Sequence, residues 1–261
     1  MLVFLLAAIL LLIALWDWNW FKGPVERVVQ AKTGRALQIG NLDVDLGRVT
    51  TIRADSITFA NAEWAKQPKM ASADRVEIDV RVWPLLRGSV QLPEIRLTRP
   101  DALLQTAPKA DQAGNWDFMG ESSGGEPLQL RRLHIDDGRL QFLDERGRTN
   151  IQVAVRSGEP KQAHAAPPLL VSGKGSWQGN AFTLNGNTES PLELTNSGHP
   201  FRIHLDGRAG ATHAVASGTL INPFQFQTFK LQFRLSGQDM EDLYPLLGIA
   251  LPSTPPYRLD G

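Results

Sequence analysis

Between residues 75 and 82 the chain sets Arg75, Glu77, Asp79 and Arg81 at odd positions and Val76, Ile78, Val80 and Val82 at even ones. Side chains of an extended strand point alternately to two faces, so this segment has one wet face and one apolar face. In a helix the same order would scatter both sets around the circumference. The period of two recurs along most of the chain, and nothing else in the sequence limits the fold as much. It returns in Leu37 and Ile39, in Leu42 and Val44, in Ile57 and Phe59, and in Ile95 and Leu97. Later it returns in Leu140 and Phe142, in Ile151, Val153 and Val155, in Phe182 and Leu184, in Phe201, Ile203 and Leu205, and in Phe229, Leu231, Phe233 and Leu235. Asp137-Gly138, Gly179-Asn180, Asp206-Gly207 and Ser236-Gly237 punctuate the runs. Short turns of this kind join antiparallel neighbours. The pattern predicts a mainly β chain with about fourteen strands in antiparallel meanders.

Two arrangements dispose of so much one-sided apolar surface. One is an elongated, twisted antiparallel sheet left open as a taco-like groove; the other is a closed β-sandwich whose apolar faces form a core. Periodicity fits both. In the groove, strands about 4.8 Å apart would extend the sheet roughly 65 Å. Its lining would be Val76, Ile78, Val80 and Val82 in the first half, then Phe182, Leu184, Phe201, Ile203, Leu205, Phe229, Leu231, Phe233 and Leu235 in the second. An apolar strip of that size exceeds the few hundred Å² that a soluble monomer exposes, and it calls for a ligand.

Residues 1–16 carry no charged side chain. As a helix they reach roughly 24 Å, and extension through Trp20 brings the span close to the ~30 Å hydrocarbon core. Trp16, Trp18, Trp20 and Phe21, with Lys22 beyond, then fall where an interfacial aromatic belt belongs. A cleaved signal peptide is the competing reading, but the run has no basic start and no small-residue cleavage site. The expectation is a retained single-pass anchor over residues 1–21. A short helix follows, with Pro24 at its start and Gly34 after its end. Val25, Val28 and Val29 give it an apolar side that could pack on the following sheet or lie at the membrane surface; packing on the sheet is the expectation.

Lys and Arg number 27 and Asp and Glu number 27, so the chain is formally neutral. That balance argues against nucleic-acid binding, which draws on a basic excess. Without cysteine there is no disulfide, thiolate metal site or cysteine nucleophile. The glycines of Gly173-Lys174-Gly175-Ser176-Trp177-Gln178-Gly179 lack dinucleotide-loop spacing and read as turn and bulge positions. His134, His164, His199, His204 and His213 show no i, i+4 pair, and no metal site is expected. Asp43 and Asp45 share one strand face, while Asp136/Asp137 and Asp144/Glu145 are adjacent pairs in turns or on opposite faces. With no nucleophile elbow and no base–nucleophile arrangement, the chain is expected to be neither an enzyme nor a cofactor binder.

Residues 106–126 and 157–168 lack a period and read as loops, and residues 239–247 as a second short helix. A strand begins at Arg258-Leu259-Asp260-Gly261 with no partner after it, which suggests a fragment of a longer protein.

Several segments resemble the AsmA family of bacterial envelope proteins. They are Asp17-Trp18-Asn19-Trp20 after the apolar run, Lys32-Thr33-Gly34-Arg35, Asn61-Ala62-Glu63-Trp64-Ala65, Val82-Trp83-Pro84-Leu85-Leu86-Arg87-Gly88 and Gly114-Asn115-Trp116-Asp117-Phe118. Leu243-Tyr244-Pro245-Leu246-Leu247-Gly248 and Thr254-Pro255-Pro256-Tyr257-Arg258-Leu259 are similar to a recurring stretch of the same family. The resemblance implies an anchor in the cell inner membrane at residues 1–21 and the rest of the chain in the periplasm. It implies a chorein-like region over residues 22–126 and a continuing antiparallel β-groove over 127–261. It further implies phospholipid acyl chains as the groove's ligand, in transport toward the outer membrane or support of its integrity. The alternative is a non-transporting scaffold that contacts outer-membrane or periplasmic proteins and assists outer-membrane protein assembly.

Overall fold

The computed structural model describes residues 17–85, 87, 89–109, 111–117, 129–160, 165–190, 201–221, 228–243 and 251–261. The apolar run of residues 1–16, with Trp16, lies outside them. Among the described residues no helix is long and apolar enough to cross a membrane.

Asp17 caps a 3-10 turn, Trp18–Phe21, by accepting the Asn19 amide at 2.9 Å. Helix α1 (Lys22–Thr33) continues from it. Pro24 falls inside the first turn, not at the first position, and its missing N–H removes nothing there. Gly34 ends the helix at φ 70°, a left-handed conformation that costs glycine nothing.

Then come β1 (Leu37–Asp45), β2 (Val49–Ala60) and β3 (Lys69–Arg81), the one-turn helix α2 (Val82–Leu85), β4 (Gln91–Leu92), β5 (Ile95–Thr98) and β6 (Asp101–Gln105). After a connection follow β7 (Gln129–Leu130), β8 (Leu133–Asp136), β9 (Gly138–Asp144), β10 (Thr149–Ser157), β11 (Leu169–Trp177) and β12 (Asn180–Thr188). The chain closes with β13 (Phe201–Ala209), β14 (Thr212–Ile221), β15 (Thr228–Gly237), a 3-10 turn at Met240–Leu243 and β16 (Tyr257–Asp260). The helix expected over 239–247 is thus a short 3-10 turn where described, and residues 244–250 lie outside the described residues.

Fourteen of these strands make one open sheet, ordered β1-β2-β3-β6-β9-β10-β11-β12-β13-β14-β15-β16, with β5 and β8 paired to each other and β5 to β3. The sheet is not a closed sandwich: β1 and β16 stand at its opposite edges, and the only other pairing among the described residues is β4 with β7. Nor is it antiparallel throughout. β5 runs parallel to β8, β6 to β9 and β4 to β7. Parallel neighbours cannot be joined by a hairpin and need a crossover, which residues 106–132 provide. Val82 is a further departure. The strand stops at Arg81 and Val82 opens α2, because Pro84 has no N–H to give a ladder but fits the first turn of a helix.

A line of irregular residues crosses the first half of the sheet. In β1 the apolar positions change from Leu37 and Ile39 to Leu42 and Val44, and in β2 from Ile52 and Ala54 to Ile57 and Phe59. Between β5 and β6 they change from Ile95 and Leu97 to Ala102 and Leu104, and between β8 and β9 from Leu133 and Ile135 to Leu140 and Phe142. The switch points include Ser56, Arg99 and Asp137, all with φ between 46° and 52°. One extra residue in each strand returns the apolar side to the same face, as a β-bulge does, and bends the sheet there. The register agrees: Ile39 opposes Ile57, Val44 opposes Ile52, Leu97 opposes Ile135 and Leu104 opposes Phe142. Arg99 Nε bonds Asp74 Oδ2 at 2.6 Å and so ties the irregular column together at β3.

Candidate functional site

Residues directly opposed across an antiparallel ladder share a face of the sheet. Phe182 opposes Ala209, and Leu184 opposes Gly207. Leu205 opposes Ala216, which opposes Phe233; Ile203 opposes Gly218, which opposes Leu231; Ala214 opposes Leu235. Phe201 opposes Leu220, which opposes Phe229. The register therefore gathers every apolar residue predicted for the second half onto one face; the side chain of Phe229 lies outside the described residues. In the first half Val76, Ile78 and Val80 oppose Ala54, Ile52 and Thr50 and continue the theme. Val82, in α2, leaves the strip.

This face is neither a sealed core nor an ordinary wet surface. Only nine apolar side chains are buried among the described residues, Val80 and Phe201 among them. Phe182, Leu184, Ile203, Leu205, Leu231 and Leu235 are half-buried, and Phe233 is 46% exposed. The opposite face carries exposed Thr183, His204, Arg208, Gln232 and Arg234. Where it is paired, its charge is neutralised in the rim-like manner of surface ion pairs, as at Arg234–Asp260 (2.8 Å).

Large and small residues alternate across the apolar face. Phe182 lies between Gly175 and Ala209, Leu184 between Gly173 and Gly207, and Leu205 between Gly186 and Ala216. A Cβ on Gly175, Gly186 or Gly218 would be driven into the carbonyl oxygen of Asn150, His204 or Lys230. These glycines are required by a close approach of the neighbouring backbone. Gly173 and Gly175 lie inside β11 and not in a turn, which corrects part of the sequence reading, whereas Gly179 does turn the chain, at φ 87°. A hollow of about 350 Å³ opens beside Trp177, Phe182, Leu184, Gly207, Ala209 and Ala214, with Arg208 and Thr212 at its margin.

At the amino-terminal edge, α1 and its preceding turn cover β1 with polar side chains. Glu26 Oε1 accepts the Ile39 amide at 2.8 Å, Asn19 Oδ1 accepts the Leu42 amide at 3.0 Å, and Lys22 Nζ donates to the Gly40 carbonyl at 2.8 Å. Edge strands expose unpaired backbone groups that recruit other strands, and these contacts occupy three of them. Of the predicted interfacial residues, Trp18 is half-buried with its ring 5.9 Å from that of Phe21, Trp20 is 70% exposed, and Phe21 is exposed. Val25 and Val28 are exposed as well, and of the three valines only Val29 is turned to the sheet, among the polar Lys22, Glu26 and Thr33.

A buried polar node, to which sequence reasoning gave no role, lies under the crossover. Asn115 is fully buried. Its Nδ2 donates to Asn61 Oδ1 (2.9 Å) and to the Leu103 carbonyl (2.8 Å), and its Oδ1 accepts the Gln105 amide (2.8 Å). Its own amide donates to the Gln105 carbonyl (2.9 Å), and its carbonyl accepts from Arg35 Nη1. Burial lowers the Arg35 pKa, yet the cation keeps that acceptor and Met70 Sδ at 3.1 Å. Arg35, Asn61 and Asn115 belong to three of the segments that carry the family resemblance.

Among the described residues no three His, Cys, Asp or Glu side chains gather as a metal ion would need. Asp43 pairs with Arg53 at 3.3 Å on the wet face. The Asp144 carboxyl is held below its ordinary pKa by the Gly147 amide first, with help from the Thr106 hydroxyl at 2.9 Å. Its role is to join the β9–β10 turn to the end of β6.

The AsmA family model matches residues 1–261. The chain is 26% identical to the AsmA family protein YhjG of Escherichia coli (strain K12) over 98% of its own length and 43% of that protein's. It thus spans less than half of this curated relative. No solved structure matches it significantly.

Proposed function

The chain belongs to the AsmA family, and from that premise we propose that it is an envelope protein, anchored in the inner membrane by residues 1–21, whose periplasmic sheet holds phospholipid acyl chains. The observation that supports this most is the apolar face of the open sheet. It runs from β3 to β15, most of its side chains are half-buried, and among the described residues the main sheet does not fold back to close over it. Apolar surface on that scale is stabilised when a partner removes it from water, at about 25 cal/mol per Å². Acyl chains fit because the face offers no ring of charges and its hollows lie between large apolar side chains. The role is one of binding and movement, toward the outer membrane or in support of its integrity, and it needs no catalytic group.

A photo-crosslinking residue at Ile203, Leu231 or Phe233 tests the proposal in cells. The expected result is adducts to phospholipid from these three positions and none from His204 or Arg234 on the other face. Absence of lipid adducts at all three, together with native mass spectra of the detergent-extracted chain free of lipid, would overturn it. A phosphatase fused after Gly261 tests the location, with activity expected in the periplasm.

A further inference from the structure

The outer side of α1 carries a surface that neither the sheet nor the lipid-holding role explains. Phe21, Val25, Val28 and Lys32 succeed one another at spacings of four, three and four, which places them along one side of a helix. The sheet-facing side holds Lys22, Glu26, Val29 and Thr33, half-buried against β1. Phe21, Val25 and Val28 are 44, 39 and 56% exposed, with the exposed Trp20 ring just before them. Main contacts of the helix are with β1 and the turn that precedes it, so this stripe has no cover within the described chain.

We propose that α1 lies flat in the headgroup layer of an anionic bilayer, with Phe21, Val25 and Val28 inserted and Arg27 and Lys32 at the lipid phosphates. Two observations choose a bilayer over a protein. First, charge: Arg27 and Lys32 are exposed and in no ion pair among the described residues, while Glu26, the only acid of the helix, is turned to the Ile39 amide. A basic polar flank beside an apolar stripe is the pattern of helices that lie in a lipid interface. Second, position: the charge-free residues 1–16 lead directly into the turn at Trp18–Phe21. Helix α1 is roughly 18 Å long at 1.5 Å per residue, enough to act as an outrigger. Because Glu26, Asn19 and Lys22 fix its other side to β1, insertion would hold the first edge of the sheet against the lipid surface.

The inference rests on the amino-terminal anchor proposed above and not on what the sheet carries, and its test reads α1 alone. The chain has no cysteine, so single Val25→Cys, Val28→Cys and Gln30→Cys variants of the full chain can be spin-labelled cleanly. All three positions are exposed, so folding is not at stake. In vesicles of phosphatidylethanolamine and phosphatidylglycerol, labels at 25 and 28 should lose collisions with a water-soluble nickel chelate and gain them with oxygen. The label at 30 should keep nickel access. Adding Arg27→Glu and Lys32→Glu should restore nickel access at 25 and 28. Equal nickel access at all three positions would overturn the proposal, and so would labels at 25 and 28 shielded from both reagents, the signature of a protein partner or a second copy.

Discussion

Asn115 Nδ2 donates to Asn61 Oδ1 across 2.9 Å, and this single bond joins the crossover to the turn after β2. Every polar atom of the Asn115 side chain has a partner, and the residue is shut off from water. Buried polar groups are tolerated only when satisfied in this way, and breaking such a set leaves several partners stranded at once. The node thereby fixes how the chain leaves β6, against the turn after β2.

Replacement of Asn115 by Ala strands the Gln105 amide and the Leu103 carbonyl and leaves Asn61 Oδ1 with the Ala62 amide alone. The expected loss is about 2–4 kcal/mol, seen as a lower midpoint in chemical denaturation. Asn115→Asp keeps the shape but sets carboxylate oxygen against two acceptors, so it should be at least as damaging at neutral pH.

The glycines of the apolar face divide into two groups. Gly186→Ala and Gly218→Ala drive a methyl into backbone carbonyls that cannot swing aside, whereas Gly207→Ala meets its nearest atom, the Thr183 carbonyl oxygen, at 3.4 Å. The first two should cost about 1–3 kcal/mol, the last well under that, in the same denaturation series. Equal effects would show that the close approach does not constrain the strands.

Glu26→Ala removes the acceptor for the Ile39 amide. Loss of one such contact should cost about 1 kcal/mol and, more tellingly, raise the exchange rate of the Ile39 amide with deuterium while amides in β12 and β13 stay unchanged.

Asp144 gives a pH signature. Its folded pKa is depressed below the unfolded value, by the Gly147 amide above all, so its contribution to stability is present above the unfolded value of about 3.9. It is lost as pH falls through the lower folded value. Acid unfolding of the wild type should therefore steepen below pH of about 4, and Asp144→Asn should be weaker at pH 7 yet respond less to acid. Identical acid profiles for the two proteins would exclude the effect.

Much of this architecture could be read from the residues. Alternation located most of the long strands but not β11 or β14, whose Gly173, Gly175, Ala214, Ala216 and Gly218 hide the period, and register later placed the apolar set of β12 to β15 on one face. Even the bend was written in the sequence, as the change from Leu37 and Ile39 to Leu42 and Val44, though it passes for a simple turn without the neighbouring strands. The closed sandwich stayed open as an alternative because alternation reports two faces and not what covers them. Parallel pairing of β6 with β9 was not legible, since alternation marks the faces of a strand and not the direction of its neighbour. The helix misled in another way: Val25 and Val28 have core-like spacing, but Glu26, Asn19 and Lys22 satisfy the sheet edge first and turn the valines outward.

The strand order has a kinetic meaning. From β9 to β16 each strand lies beside its sequence neighbour. Such contacts close short stretches of chain, so this half can assemble by successive hairpins at little entropic cost per step. Joining β6 to β9 is different, because the whole of residues 106–137 lies between them and must be looped before the first rung forms. The crossover is then the slow event of folding, and the two halves of the sheet become one cooperative unit only when it is complete.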